Sequence, residues 1–444
     1  YTCEEDAAGG EYNSSVIFVG ANDGMLHAFR DCDCKELWGF VPDNVLSNLK
    51  YLPEIKHTSF VDSPPSILFY DKEEDGTVDV ADDLVVLIFG QRRGGGNNHL
   101  TTDSRGAYYA LDITNPAAPP VMSKIDANDY PQLAETWSLA SIKPIKASDP
   151  TSTDIRYVAF VTGGYDNNED FRFGRRYTFP TGLSTTTDTN TAPPGGSVDG
   201  LDAGGTSVLL LDSPGGDADG FNMRGRDVAA ILVANLVYDS DTQTYVKQTQ
   251  AENADIGTVF WSSSDPDMDG TPTVSFPYSF ASDLRTLDLN SNGGYVDRVY
   301  AADTGGNLWR FDTIDRNSAN WTGEIAFKTN PYAASSPDRG RKFFYPPSVA
   351  EVSGQTWDCF NTGDREHPLN LPVVDRLYCM RDYYGKYDDY NDGFGNSTLP
   401  NFNFHTTADS VDESKMIDVT TNALQAATTT QEQIDALLWK LRST

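Results

Sequence analysis

Three stretches of the sequence set oxygen-bearing side chains at alternate positions around a glycine: DKEEDGTVD at 71 to 79, DLNSNGGYVD at 288 to 297, and DPDMDGTPT at 265 to 273. Calcium takes about six to eight hard oxygen ligands. A loop supplies them from side chains at its first, third and fifth positions, a backbone carbonyl at the seventh, and an acid beyond a glycine bend. In the first stretch Asp71, Glu73 and Asp75 alternate, Gly76 makes the bend, Thr77 offers its carbonyl and Asp79 closes. Acidic side chains held so near one another repel unless a cation joins them. In the second, Asp288, Asn290 and Asn292 alternate, but Asp297 arrives one residue late. Gly293-Gly294 can absorb the extra residue as a bulge and leave the Tyr295 carbonyl facing the centre. Its mixture of carboxylates and amides predicts weaker calcium binding, in roughly the 0.1 to 1 mM range of extracellular modules. The third begins well with Asp265, Asp267, Asp269 and Gly270, but Thr273 stands where an acid should close, and Pro272 stiffens the bend. It reads as an acidic surface turn.

Other chemistry is scarce. His27, His57, His99, His367 and His405 are scattered, with no H-E-x-x-H spacing, and neither a G-x-S-x-G elbow nor a Walker loop occurs. GQRRGGGNNH, from Gly90, is glycine-rich and basic but lacks the G-K-[ST] ending of a phosphate loop, so it reads as a turn within a β-blade. The cysteines form no C-x-x-C pair and do not suggest zinc. Cys359 and Cys379 can close a disulfide loop, worth roughly 3 kcal/mol on the chain-entropy estimate. Of Cys3, Cys32 and Cys34, one is left over. The formal charge of −32, from 65 acidic against 33 basic residues, opposes binding to nucleic acid or anionic lipid and favours divalent cations. No apolar run approaches the roughly 20 residues of a membrane-spanning helix, so no membrane insertion is expected.

The elements that must position these loops are strands. VIFVGANDGMLHAF from Val16, LVVLIFGQRRGGG followed by GAYYALDITNP, YVAFVTGGYDNN with TSVLLLD, and DRVYAADTGGNLWRFD from Asp297 share one plan. Each joins β-branched or aromatic runs through Gly, Asn and Asp turns, and their recurrence predicts an all-β, blade-by-blade β-propeller, of seven modified blades. Gly24, Leu26, Ala28, Leu37 and Trp38 fit the turn, inward-facing residues and closing Trp of a quinoprotein-type blade; Trp38 and Trp309 read as packing residues. Residues 1 to 400 make the propeller, interrupted at 166 to 206 by an insertion too poor in apolar residues to bury itself. Residues 401 to 444 form an extension, where Ile434, Leu437, Leu438 and Leu441 fall at helical spacing behind a Thr430 cap.

In order and content, VIFVGANDGMLHAF, FVDSPP, GAYYALDITNP and above all DLNSNGGYVDRVYAADTGGNLWRFD resemble the C-terminal propeller of the PilY family of type IV pilus proteins. The resemblance covers most of 14 to 312 and continues less clearly through Cys359 to Cys379. It implies an exported protein at the pilus tip or cell surface, outside the cell, whose partners are minor pilins, the pilus tip, and host or abiotic surfaces. The role it implies is non-enzymatic: calcium-dependent control of pilus extension and retraction, twitching motility and attachment. The family's calcium loop falls on Asp288, Asn290, Asn292, Tyr295 and Asp297 here, departing from the pattern by the extra residue and by Asn292. The opening YTCEEDAAGG, with no initiator Met, reads as an interior fragment, and the family's usual N-terminal von Willebrand A-like adhesion domain is absent from this chain. The alternative is a pyrroloquinoline-quinone dehydrogenase propeller. That would carry an adjacent cysteine pair and a fuller set of docking tryptophans, whereas Cys32 and Cys34 are separated and there are 7 Trp.

Overall fold

The computed structural model of the chain describes residues 15–53, 59–95, 106–116, 119–146, 153–166, 224–270, 272–274, 276, 278–288, 294–329, 341–351, 356–365, 373–382, 411–413 and 416. Among them the fold is all-β, with short 3-10 turns at 43–51 and 318–320. Five sheets follow one another along the chain. The first holds β1 (Val16–Gly20), β2 (Leu26–Arg30) and β3 (Glu36–Phe40); the second holds β4 (Ser66–Tyr70), β5 (Leu84–Phe89), β6 (Tyr108–Asp112) and β7 (Val121–Ile125). The third runs β8 (Ser141–Lys146), β9 (Ile155–Thr162), β10 (Val228–Asp239), β11 (Thr244–Lys247), with β12 (Val259–Ser262) also on β10. The fourth is β13 (Arg285–Leu287), β14 (Arg298–Ala302), β15 (Asn307–Asp312) and β16 (Thr322–Lys328). The fifth is β17 (Ser348–Glu351), β18 (Thr356–Asn361) and β19 (Leu377–Asp382). Pairing within these sheets is antiparallel, except that β20 (Val411–Asp412) joins β16 in parallel.

Turn chemistry explains the hairpins. Asp303 is fully buried after β14, and its carboxylate accepts from the Asn307 amide (2.8 Å), the Asn307 side chain (2.9 Å) and Trp309 Nε1 (2.7 Å). That cradle folds ADTGGNLW back on itself. Gly306 supplies the left-handed bend (φ 80°), and a side chain at Gly305 would meet the Tyr278 ring at 2.0 Å. Trp309 is thus a packing residue, as expected. Trp38 ties the first sheet to the second by donating to the Pro116 carbonyl at 2.7 Å.

Four apolar clusters lie between successive sheets. Leu26 packs with Leu87 and Tyr109; Val86 with Ala159 and Ile231; Phe160 with Val299 and Phe311; Phe327 with Phe360 and Tyr378. β5, buried on both faces, therefore reads as a continuous apolar run rather than an alternating one, whereas β15 is equally buried but carries Asn307, Arg310 and Asp312 among its apolar residues. The first strands of neighbouring sheets converge. Ser66 donates to the Ala140 carbonyl beside β8, Ser141 pairs with Thr286 on β13, and Arg285 reaches the Pro347 carbonyl ahead of β17. Sheets that stack face to face while their first strands meet are radial blades. The architecture is propeller-like, with five blades among the described residues against the seven expected.

One sequence expectation looks different against the fold. YVAFVTGG forms β9, but its partners are β8 and the twelve-residue β10, VAAILVANLVYD; TSVLLLD lies outside the described residues. The insertion from 167 onward and the helix expected around Ile434 to Leu441 also lie outside them. Cys359 and Cys379 face each other in register across β18 and β19 and form the expected disulfide. Cys32 is disulfide-bonded too, and Cys34 is the free, exposed cysteine.

Candidate metal centre

The first and second acidic stretches occupy equivalent places, each linking the first strand of a sheet to the second: 71–83 joins β4 to β5, and 288–297 joins β13 to β14. A common device shapes both. The Gly76 amide donates to Asp71 Oδ2 at 2.6 Å, and the Gly294 amide to Asp288 Oδ2 at 2.8 Å. Both glycines are left-handed, with φ of 79° and 85°. The third stretch repeats it, with the Gly270 amide on Asp265 Oδ2 at 2.9 Å and φ 85°. Counted from the bending glycine, Tyr295 stands where Thr77 does and Asp297 where Asp79 does. The extra residue of the 288 loop is therefore taken up before Gly294, within 289–293.

The acids that gather in space differ from those the spacing rule picks. In the first loop Asp71 and Glu73 come together with Asp83, each offering an oxygen within 4.8 Å of the others. Asp83 is fully buried and was not anticipated; the signal was available in the ADDL that opens β5. Its oxygens also accept from the Lys72 and Asp79 amides, at 2.9 and 2.6 Å, which anchors the loop base. Asp75 and Asp79 stand outside this group and hold local turns, accepting from Thr77 (2.7 Å) and Ala81 (2.9 Å).

In the 288 loop, Asn290 and Asn292 lie outside the described residues. Asp297 is 1% exposed, and its backbone is fixed by the Leu287 carbonyl and the Thr313 amide, at 2.8 and 2.9 Å. Tyr295 is half-buried, and that burial pushes its phenol up. Asp265, Asp267 and Asp269 also gather within 4.8 Å. Burial raises the Asp265 carboxyl, and the adjoining Asp267 and Asp269 raise it further. Beneath them the fully buried Asp227 accepts from Ser262 and Ser263 hydroxyls at 2.5 Å and from the Ser264 amide at 2.9 Å. The donors are hard oxygens throughout, which fits calcium or magnesium and not a softer metal.

Sequence reading missed the ionic layer under the 288 loop. Arg298 and Asp312 face each other in register on β14 and β15 and pair at 2.7 Å with essentially no exposure. Asp382, from β19, accepts from Arg310 Nη1 at 2.6 Å and from the Tyr300 hydroxyl at 2.5 Å, and lies 3.6 Å from Arg298; Arg310 also meets Glu324. Burial alone would raise the Asp382 carboxyl, but the Arg310 and Arg298 guanidiniums outweigh it and hold it below its ordinary value. Neighbouring Asp358 on β18 is fully buried and its oxygens find no hydrogen-bond donor among the described residues; burial, with Asp382 beside it, drives its carboxyl well above the usual range. Arginines inside the apolar runs DRVYAA and LWRFD were the available signal.

No protein-family model matches the chain. Two curated proteins from Xylella fastidiosa, both type IV pilus biogenesis factor PilY1 homologs, are 25% identical to it over 317 and 374 residues, or 70% and 83% of this chain. The chain spans 15% and 21% of their lengths. Among solved structures, the C-terminal domain of Pseudomonas aeruginosa PilY1 covers 87% of this chain and 60% of its own, at 18% identity and a TM-score of 0.44. A quinohemoprotein alcohol dehydrogenase from Pseudomonas putida HK5 covers 80% of this chain and 44% of its own, at 12% identity and a TM-score of 0.30. By sequence the chain is similar to these PilY1 homologs, paired along most of its own length with a small share of theirs.

Proposed function

We propose that the chain is a calcium-binding, non-enzymatic propeller of a type IV pilus biogenesis factor, acting outside the cell with minor pilins at the pilus tip. In that setting it governs pilus extension and retraction, and with them twitching motility and surface attachment. The observation that carries the calcium assignment is the 288 loop, closed by the Gly294 amide on Asp288 and ending on the buried Asp297. The likeness to PilY1 homologs supports the pilus setting.

The physical consequence of binding is local. A divalent cation held by Asp288, Asn290, Asn292, the Tyr295 carbonyl and Asp297 neutralises the loop and fixes the entry into β14. That strand carries Arg298 and Tyr300 into the ionic layer between the fourth and fifth sheets, so the loop is coupled to a sheet-to-sheet contact. Asp71, Glu73 and Asp83, with Asp75, Thr77 and Asp79 nearby, give a second calcium position in which Asp83 takes the closing part. Calorimetric titration of the chain with calcium, with and without Asp297→Ala, tests the reading. Loss of one binding event and altered piliation in cells carrying the variant is the expected result; unchanged calcium affinity would sink the assignment.

A further inference from the structure

The converging first strands leave one end of the blade axis closed by side chains. Trp137, Tyr165, Ala281 and Phe344 form a small buried cluster there, with ring centroids 5.4 to 5.9 Å apart among the three aromatics. Trp137 lies just ahead of β8, Ala281 ahead of β13 and Phe344 ahead of β17, so each comes from the same place in its blade. The plug is capped by arginines. Arg93 and Arg365 lie over the Trp137 ring at 5.6 and 5.5 Å, and Arg365 lies 5.9 Å from the Tyr345 ring. Arg92 enters from the glycine-rich GQRRGGG turn, bridged through its backbone to Thr136 at 3.1 Å. A turn that read as architectural thus delivers charge to the axis.

These cations are concentrated in a chain of net charge −32. Neither Arg92 nor Arg365 forms a side-chain hydrogen bond or an ion pair with a described residue, and Arg92 Nε is buried without a partner. The half-buried Arg92 guanidinium is weakened as a cation by burial and by Arg365; Asp62, Asp283 and Tyr345 favour its charge without pairing with it. Asp283 spends one oxygen on the Leu139 amide at 2.6 Å, and the buried Glu135 accepts from Trp137 Nε1 at 2.9 Å. Guanidinium N–H groups left open side by side match carboxylates, which they take two-pronged. Tyr345, 42% exposed, stands at the rim as an aromatic contact of the type enriched at protein interfaces.

We propose that this end of the axis is a docking site for an acidic peptide segment of a protein partner, whose carboxylates are taken by Arg92 and Arg365. The rest of the surface supplies the specificity. An acidic segment is repelled by the general excess of carboxylates and finds attraction where the arginines converge.

The test is fluorescence anisotropy of the full chain with fluorescein-labelled hexaglutamate, at rising salt. Binding that weakens with salt, and falls about tenfold or more in Arg92→Gln/Arg365→Gln, is expected for lost charge-assisted hydrogen bonds. Arg156→Gln, at an arginine over Phe260 and away from the axis, should bind as the parent does. If the double Gln variant fails to fold, Arg92→Lys/Arg365→Lys keeps the charge but not the fork and should still weaken binding. No binding by the parent chain, or equal affinity in the Lys and parent proteins, overturns the proposal. Displacement by inorganic phosphate but not by free glutamate overturns the carboxylate assignment.

Discussion

The β4–β5 loop and the β13–β14 loop make the same turn in the same place of their blades, yet they are finished in different ways. Each has its first aspartate accepting the amide of a left-handed glycine. In the β4–β5 loop the acids gather at the base, where buried Asp83 joins Asp71 and Glu73 while Asp75 and Asp79 hold solvent-side turns. The β13–β14 loop ends on Asp297, next in sequence to the buried Arg298–Asp312 pair. One loop is an acidic pocket on a hairpin; the other is a tether on an inter-blade ionic layer. Glycine placement sets the turn, whereas the ligand set and its coupling depend on what the neighbouring strands bring.

The strongest way to break this contrast is to remove the layer beneath one loop. Asp382→Ala strands Arg310 and Arg298 without their shared carboxylate, and should cost about 3 to 5 kcal/mol in urea unfolding. Asp71→Ala, at the partly exposed loop, should stay within about 0.5 kcal/mol in the absence of calcium. Equal costs would show that the two loops rest on similar foundations.

The same layer also has a pH signature. Asp358 has its folded carboxyl raised by burial, so above about pH 4 the unfolded chain releases a proton that the folded chain keeps. Stability therefore falls as pH rises from the unfolded value toward the folded one, by up to about 1.4 kcal/mol per pH unit. Asp358→Asn removes that loss, and its advantage over the parent should grow with pH in unfolding measured across this window. Asp382, held low by its arginines, acts oppositely: its contribution is present above the unfolded value and is lost as pH falls through the folded one. A parent-like pH slope in the Asn variant would place the Asp358 proton elsewhere.

The blade plan was legible because its signals are local. VIFVGANDGMLHAF and DRVYAADTGGNLWRFD carry their own turns, and the cysteines of β18 and β19 needed only to be near in sequence. The β9–β10 pairing was not legible, since its partners are separated by 65 residues from Thr162 to Val228 and no short turn announces them. The 288 loop could be placed by its glycines and neighbourhood, but the ionic layer needs Asp382 from another blade. In the first loop the alternating rule picked Asp79, while the acid that folding brings beside Asp71 and Glu73 is Asp83, at the buried mouth of β5.

Which of the two acids closes the loop is decided by calcium titration of paired variants. Asp83→Asn removes a buried ligand charge and should weaken binding at the β4–β5 loop by about tenfold, because ligand charge sets affinity in such sites. Asp79→Asn should leave it within about twofold, since that side chain lies outside the cluster. Neither change should alter the β13–β14 site. A larger effect from Asp79 than from Asp83 would restore the alternating rule and deny the difference between the loops.

The smallest expected effect addresses what the loops share. A Cβ added at Gly76 or Gly294 would have no atom of a described residue within 4 Å beyond its chain neighbours, so among the described residues the cost of alanine there is conformational alone. A left-handed φ penalises an L side chain by about 1 to 2 kcal/mol, and Asn by less because its side chain tolerates that region. Gly76→Ala and Gly294→Ala should thus lose similar stability in urea unfolding, with Gly→Asn recovering part of it at each site. No loss at Gly294 would mean that the extra residue lets the β13–β14 bend relax out of the left-handed region. Calcium would then have to impose the turn that the β4–β5 loop already holds.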